Sequence, residues 1–424
     1  MNHVLFSLFL TVGLINTIHL GLYIGGANIY DIRQFRRAAA KPLKRKRGRR
    51  PLVSVIIPAH NEELVIKRCL DSIRTSSVRK LEVIVHNDRS TDATRPLVTA
   101  YQKQYPSFAL RLVNRRKQVG KAGGVNYCIK QYAKGELIMT LDADCVVRRD
   151  AIKNAIAYFG DPQIVGVAAN VRLLGTPTIL GILQKIEHMI GYRSKKFYTV
   201  ANCEFIVGGV ASTYRREILA RVGYYDTDTT TEDIGLSMKI AALGNREHRI
   251  IYAADVVATT EGAHSFHALL RQRYRWKLGS LQNLVKHTNL MGRLSPTHSR
   301  MLTLYRLPMA IVSEIILLLQ PIVLSYIVYL SWHFHTLGLF AGAYLTITTY
   351  ILWTVWPDEH TSLRHKLAMS AYAPLLYFTF YIMDAIQIIS IVRCLLHPRL
   401  VARRTVQAAT WVSPERVGQQ AQFS

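Results

Sequence analysis

Two aspartates two residues apart, Asp142 and Asp144, follow the apolar run Ile138-Met-Thr-Leu141. If that run is a buried strand whose conformation persists, both carboxylates point to one face. Two hard oxygen ligands with open positions suit Mg2+ or Mn2+ held jointly with a substrate's phosphates, although a solvated turn would use the same letters. Thr231-Glu-Asp233 opens a helical pattern that continues through Ile234, Leu236, Met238, Ile240 and Leu243. Threonine and acidic residues suit a helix start, and Asp233 within reach of a hydroxyl would serve as a general base. Gln272-Arg-Tyr-Arg-Trp276 mixes aromatic, basic and apolar residues, as a helix lying on a membrane would. Its arginine fork also matches a diphosphate, and an indole face stacks on a sugar ring. Gly120-Lys-Ala-Gly-Gly124 lacks P-loop spacing, yet a helix opening there would offer backbone donors and a lysine to a phosphate. Glu261, His264 and His267 are spaced like occasional metal ligands and read as a solvated loop before a helix.

Short strands and helices must alternate to position these residues. Val53-Ser-Val-Ile-Ile-Pro58 is a β-branched run ended by proline, and helical spacing follows at Leu64, Ile66, Leu70 and Ile73. The rhythm repeats with a strand over 81–85, a helix over 91–104, a strand over 109–113, a helix over 121–132 and a strand over 137–141. Such alternation predicts an α/β fold, a mostly parallel sheet with helices on both faces. Ligands then sit at the carboxyl ends of the strands. Three polar, acidic loops fall there: Ala59-His-Asn-Glu62, Asn87-Asp-Arg-Ser-Thr-Asp92 and Asp142-Ala-Asp144.

The chain has 424 residues, half of them hydrophobic, and a formal charge of +27. Apolar surface on this scale excludes a disordered chain, and its combination with strong basicity excludes an ordinary cytosolic globule. Residues 4–29 carry no Asp, Glu, Lys or Arg and are long enough to cross a bilayer. The basic flank follows that segment, unlike the flank of a cleaved signal peptide, so the positive-inside rule places the flank in the cytoplasm and the N-terminus outside. Three further candidate spans cover 308–332, 337–356 and 367–396. Four spans would leave the C-terminus outside, whereas Arg393, Arg399, Arg403 and Arg404 favour the cytoplasm. Either one C-terminal segment is interfacial or re-entrant, or the charge rule fails at that end. The expected organisation is a transmembrane helix (1–30), a basic juxtamembrane linker (31–50), a cytosolic catalytic domain (51–262), amphipathic interfacial helices (263–300), C-terminal transmembrane helices (301–397) and a tail (398–424). Five scattered cysteines without a CxxC pair predict reduced thiols.

The ordered set Pro58-Ala-His-Asn-Glu62, Asn87-Asp-Arg-Ser-Thr-Asp92, Gly120-Lys-Ala-Gly, Asp142-Ala-Asp144, Val207-Gly-Gly-Val-Ala-Ser212, Thr231-Glu-Asp233 and Gln272-Arg-Tyr-Arg-Trp276 resembles the membrane-embedded processive family 2 glycosyltransferases. That group includes synthases of cellulose, chitin, hyaluronan and bacterial poly-N-acetylglucosamine, the last being nearest in chain length and in the wording after Thr231. The resemblance covers roughly residues 50–285 and implies a GT-A-like fold and hexosyltransferase activity. It implies that Glu62 and Asp88 hold the uridine with Lys121 nearby, that Asp142 contacts the nucleotide-sugar, and that Asp144, with Asp142, binds Mg2+ or Mn2+. Gly208 and Gly209 would admit the acceptor sugar. Asp233, beside Glu232, would be the catalytic base, and Gln272, Arg275 and Trp276 would hold diphosphate and acceptor. The partners implied are a UDP-sugar, a polysaccharide, the lipid bilayer and small membrane or export subunits, with no nucleic acid. The location implied is the inner cell membrane, crossed several times. Arg89 stands where the family usually has glycine, which predicts a reshaped nucleotide loop. Two other readings are transfer of one sugar to a lipid such as a polyprenol phosphate, and a membrane-tethered nucleic-acid or lipid-binding protein that uses the basic flank.

Overall fold

The computed structural model describes residues 2–39, 51–174, 178–335, 337–402 and Gly418. Most of the basic linker and of the C-terminal tail lies outside these residues. The chain starts with one long helix, α1 (Asn2–Ala39), and then alternates as its periodicity predicts: β1 (Val53–Ala59), α2 (Ile66–Arg74), β2 (Leu81–Asn87), α3 (Thr94–Gln104), β3 (Leu110–Asn114), α4 (Gly120–Gln131) and β4 (Leu137–Thr140). Every residue of β1 is buried, because β2 and β4 flank it on both sides in parallel register. A strand covered on both faces reads as a continuous apolar run. Val53, Val55 and Ile57 face one core with Ile66, Leu70 and Ile73 of α2. Ile56 faces a second core with Val125 and Ile129 of α4.

The second half of the sheet is mixed. It comprises β5 (Val146–Val147), α5 (Ala151–Tyr158), β6 (Ile164–Leu173), α6 (Ile179–Val200), β7 (Ser212–Arg215), α7 (Arg216–Arg221), α8 (Glu232–Ala242) and β8 (Arg249–Thr260). The strand order is β3-β2-β1-β4-β7-β6-β8-β5. The β7 strand runs antiparallel to β4 and β6, β5 runs antiparallel to β8, and β6 pairs with β8 in parallel. The parallel expectation therefore describes the N-terminal half, and antiparallel strands complete the sheet. Helices on both faces give the expected α/β architecture.

Helix α9 (Phe266–Lys286) leaves the sheet and leads through a π-helical turn, Met301–Arg306, into α10 (Leu307–His333), α11 (Gly338–Val355), α12 (Leu363–Leu396) and α13 (Pro398–Ala402). Among the described residues, His3–Arg36, Met301–His333 and Tyr377–Leu396 are long and apolar enough to cross a membrane, and Phe340–Val355 is a shorter apolar helix. Helix α1 docks on α6 and the sheet edge. The Tyr30 hydroxyl donates to the Tyr252 carbonyl and accepts from the Ala254 amide, both at 3.1 Å. Asp31 pairs with Lys196 at 2.6 Å, and Gly26 lies so close to Phe197 that a Cβ would come within 2.5 Å of its ring. The link between α11 and α12 returns to the sheet, where Arg172 holds Asp358 through two bonds of 2.8 Å and Arg148 meets His360 at 2.9 Å. All five cysteines are free and buried, as expected.

Candidate active site

The first two acidic loops are stitched to each other at the ends of β1 and β2. Asn61 N donates to Ser90 Oγ at 3.0 Å, Thr91 N to Asn61 Oδ1 at 2.8 Å, and Glu62 N to Thr94 Oγ1 at 2.8 Å. Asn61 and Arg89 both sit in the left-handed region, at φ +54° and +61°. Arginine thus adopts the backbone that a glycine would supply at little steric cost. Asp88 is wholly buried, and its carboxylate accepts from Val119 N and Gly120 N, each at 2.9 Å. The anion at the start of α4 is therefore this side chain, a favourable place for negative charge. Glu62 is buried beneath the same loop pair.

With its N-terminus fixed, α4 aims Lys121 across the strand ends. Its ammonium lies 2.7 Å from Asp142 Oδ1 and 3.4 Å from Glu232 Oε1. Burial would lower the pKa of this lysine, but Asp142 and Glu232 outweigh that and hold the charge well above its usual range. Asp233 is adjacent. Burial first, and then the neighbouring Glu232, push its carboxyl up to about 6 against the opposing pull of Lys121. Gly209 completes the cluster, since a Cβ there would sit 3.1 Å from Lys121 Nζ and 3.7 Å from Asp233 Oδ2. Gly208 precedes it, and its carbonyl accepts from the Ser212 hydroxyl.

Asp142, Asp144 and Cys145 bring ligand atoms within 4.8 Å of one another. Asp144 is held by a bond from Thr260 Oγ1 at 2.9 Å. Burial, reinforced by Asp144, pushes the Cys145 thiol up and keeps it protonated, so the donors left are hard carboxylate oxygens. That donor set fits Mg2+ or Mn2+. Glu261 departs from the expected solvated loop. It is buried, pairs with Arg68 at 2.7 Å and lies 3.6 Å from His264 Nε2. The cause is long-range: Arg68 arrives from α2, 193 positions earlier, and Arg68 also bonds the Asp144 carbonyl.

Asp142, Asp144, Lys121, Gly209, Glu232 and Asp233 thus form one continuous cluster. Gln272, Arg275 and Trp276 lie one to two turns before Gly279 of α9, and a Cβ at Gly279 would collide with Thr231. Trp276 remains 36% exposed, with the Arg273 guanidinium 4.4 Å above its ring. Arg273, the inner arginine of that motif, is buried and pairs with Glu187 of α6 at 2.5 Å. Thr231 occupies the N-cap position of α8, as expected of a helix start, but makes no capping bond through its side chain. Asn283 of α9 holds it instead, donating to its carbonyl at 3.0 Å and its hydroxyl at 3.2 Å. The sequence reading missed Gln282, Asn283 and Lys286. Their spacing from Gly279 on one helix face was the available signal.

Residues 54–223 match the family model described as "Glycosyl transferase family 2". The chain is 31% identical over 237 residues to a poly-beta-1,6-N-acetyl-D-glucosamine synthase of Staphylococcus aureus strain COL, covering 55% of this chain and 56% of that protein. It therefore spans little more than half the length of that relative. It is 28% identical over 384 residues to the synthase of the same name from Staphylococcus epidermidis, covering 86% of this chain and 87% of that one. Among solved structures, a mannosyltransferase from Pyrobaculum calidifontis in complex with GDP-Man and Mn2+ shares the fold. Its TM-score is 0.58 at 22% identity, over 93% of this chain and 99% of that one.

Proposed function

Because residues 54–223 are a family 2 glycosyltransferase domain, we propose that the chain moves a sugar, N-acetylglucosamine foremost, from a UDP-sugar to the growing end of a β-linked polysaccharide, with inversion. The observation that carries this reading is the half-buried Asp233 carboxyl, pushed up to about 6 and placed against the Lys121–Asp142 pair. Asp233 takes the proton of the acceptor hydroxyl while that oxygen attacks the anomeric carbon. The bond from carbon to the diphosphate oxygen breaks, and its electron pair leaves with UDP. A single base with no covalent carboxylate intermediate gives inversion. Lys121 and Arg275 offset the negative charge gathering on the leaving group. Asp142 and Asp144 would hold Mg2+ or Mn2+, which when bound supplies further charge neutralisation at the diphosphate. Glu62 and Asp88 shape the uridine end, Gly208 and Gly209 leave room for the acceptor sugar, and Gln272 and Trp276 hold it.

The setting is the inner cell membrane, with the catalytic domain cytosolic. Ionisable groups on the membrane side support a polar route for a leaving polymer, since such residues are expensive in lipid and mark pathways. Lys277 of α9 pairs with Glu314 of α10 at 2.7 Å, one position beyond Trp276. Export subunits would meet this side.

The test is transfer of label from a panel of radiolabelled UDP-sugars by the purified chain in nanodiscs, with Mg2+ or Mn2+. Asp233→Asn is expected to lower incorporation by about a thousandfold, the scale of a lost general base, while UDP binding stays intact. Retained turnover would remove Asp233 from the mechanism. Chelation of divalent ions should abolish incorporation reversibly, and activity in excess chelator would remove the metal from it.

A further inference from the structure

Gly279, Gln282, Asn283 and Lys286 are spaced three, four and seven apart, so they share one face of α9. That face continues the stripe of Gln272, Arg275 and Trp276. Each of the four meets the segment 226–231, which immediately precedes Glu232 and Asp233. Lys286 Nζ lies 2.7 Å from Asp226 Oδ2 and 2.8 Å from Asp228 Oδ1. Gln282 Oε1 accepts from Thr230 N at 2.9 Å and from its hydroxyl at 3.0 Å. Asn283 donates to Thr231 twice, and Gly279 leaves the space that the Thr231 side chain fills. The approach is close on the other side too, where a Cβ on Gly235 of α8 would come within 2.8 Å of Asn283 Oδ1. Gln282 and Asn283 are buried. Buried amides are costly unless they are bonded; Gln282 bonds the segment through its oxygen and Asn283 through its amide nitrogen.

We propose that the C-terminal half of α9 is a clamp that sets the position of Asp233, with Gln282, Asn283 and Lys286 as positioning residues. One helix then registers both partners of the transfer: its first half meets the diphosphate and acceptor, and its second half fixes the base. Gln282 also donates through Nε2 to the Leu400 carbonyl at 2.9 Å, so a single amide joins the base loop to the segment that follows α12. The proposal rests on Asp233 being the base, as argued above.

Two readouts separate the clamp from that reading. In the first, UDP release is followed with purified Gln282→Leu and Lys286→Met in nanodiscs. Both are expected to lose about a hundredfold in kcat, the cost of an ångström-scale misplacement, with the KM for donor and UDP affinity within about twofold of wild type. Lys286→Arg is expected to restore most of kcat. A folded Gln282→Leu with wild-type kcat, or a donor KM that moves in step with kcat, would overturn the clamp. The second readout is amide hydrogen exchange and needs no turnover. Residues 226–231 should exchange about tenfold faster in Lys286→Met and Gln282→Leu than in wild type, while β1 stays protected. Unchanged protection of the segment would sink the clamp even if the wild type proved to act on no UDP-sugar. Wild-type inactivity together with faster exchange would sink the transferase reading instead.

Discussion

Arg89 sits at φ +61°, a backbone that costs an L-residue roughly 1–2 kcal/mol. It is tolerated because the stitched Asn61–Ser90–Thr91 bonds over-determine the loop. Arg89→Gly should therefore leave the melting temperature and UDP affinity close to wild type. The β-branched Arg89→Val should destabilise by about 2 kcal/mol, read by thermal unfolding in detergent. Asp233 gives a prediction with a sign. As a base it must be ionised, so turnover should rise with pH through about 6. Its raised native pKa also means that the folded state binds a proton the unfolded chain has released, so ionising it disfavours the fold. Asp233→Asn should then be stabilising above about pH 6 and nearly neutral below about pH 4, near the unfolded carboxylate value. A melting-temperature gain that is larger at pH 5 than at pH 7.5 would contradict this.

The N-terminal elements follow from local pattern. Residues Val53, Val55 and Ile57 alternate with Ser54 and Ile56 into two cores, and the polar loops fall at the strand ends as the rhythm requires. Ile57→Ala should cost about 2–5 kcal/mol, measurable as a shift in denaturation midpoint. Asp142, Lys121 and Asp233 were legible as candidate residues because their types are rare between apolar runs. Their convergence at the strand ends was legible too, whereas the Asp88 carboxylate that fixes the start of α4 was not. The antiparallel β7 was equally hidden. Ser212-Thr-Tyr-Arg215 is too short for its period to give direction, and its orientation comes from pairing with β4 and β6. Contacts such as Arg68 with Glu261 or Gln282 with Leu400 join residues more than a hundred positions apart, and no periodicity encodes them.

The charge of +27 suits a molecule seated on anionic lipid, and the ends of α12 bear on how it is seated. Asp358 and His360, just before that helix, bond Arg172 and Arg148 of the catalytic domain. Just after it, Leu400 bonds Gln282, and Arg393 near its end lies 4.4 Å over Tyr274. The 377–396 segment is apolar enough to span, but flanks tied to one domain favour a helix that begins and ends on the same side. Arg393 and Arg399 would then lie where the positive-inside rule wants them. Because the native cysteines are buried, Arg399→Cys and Leu337→Cys can be labelled with an impermeant maleimide with little background. Label at 399 is expected from the catalytic side and at 337 from the opposite side; both reacting from the same side would refute the arrangement. The docking of α1 has a practical corollary for anyone wanting a water-soluble enzyme. Deleting the first fifty residues removes the hydroxyl that satisfies Tyr252 and Ala254 and strips the cover from Phe197. The shortened protein should clump on expression, and detergent would be needed to purify an active form.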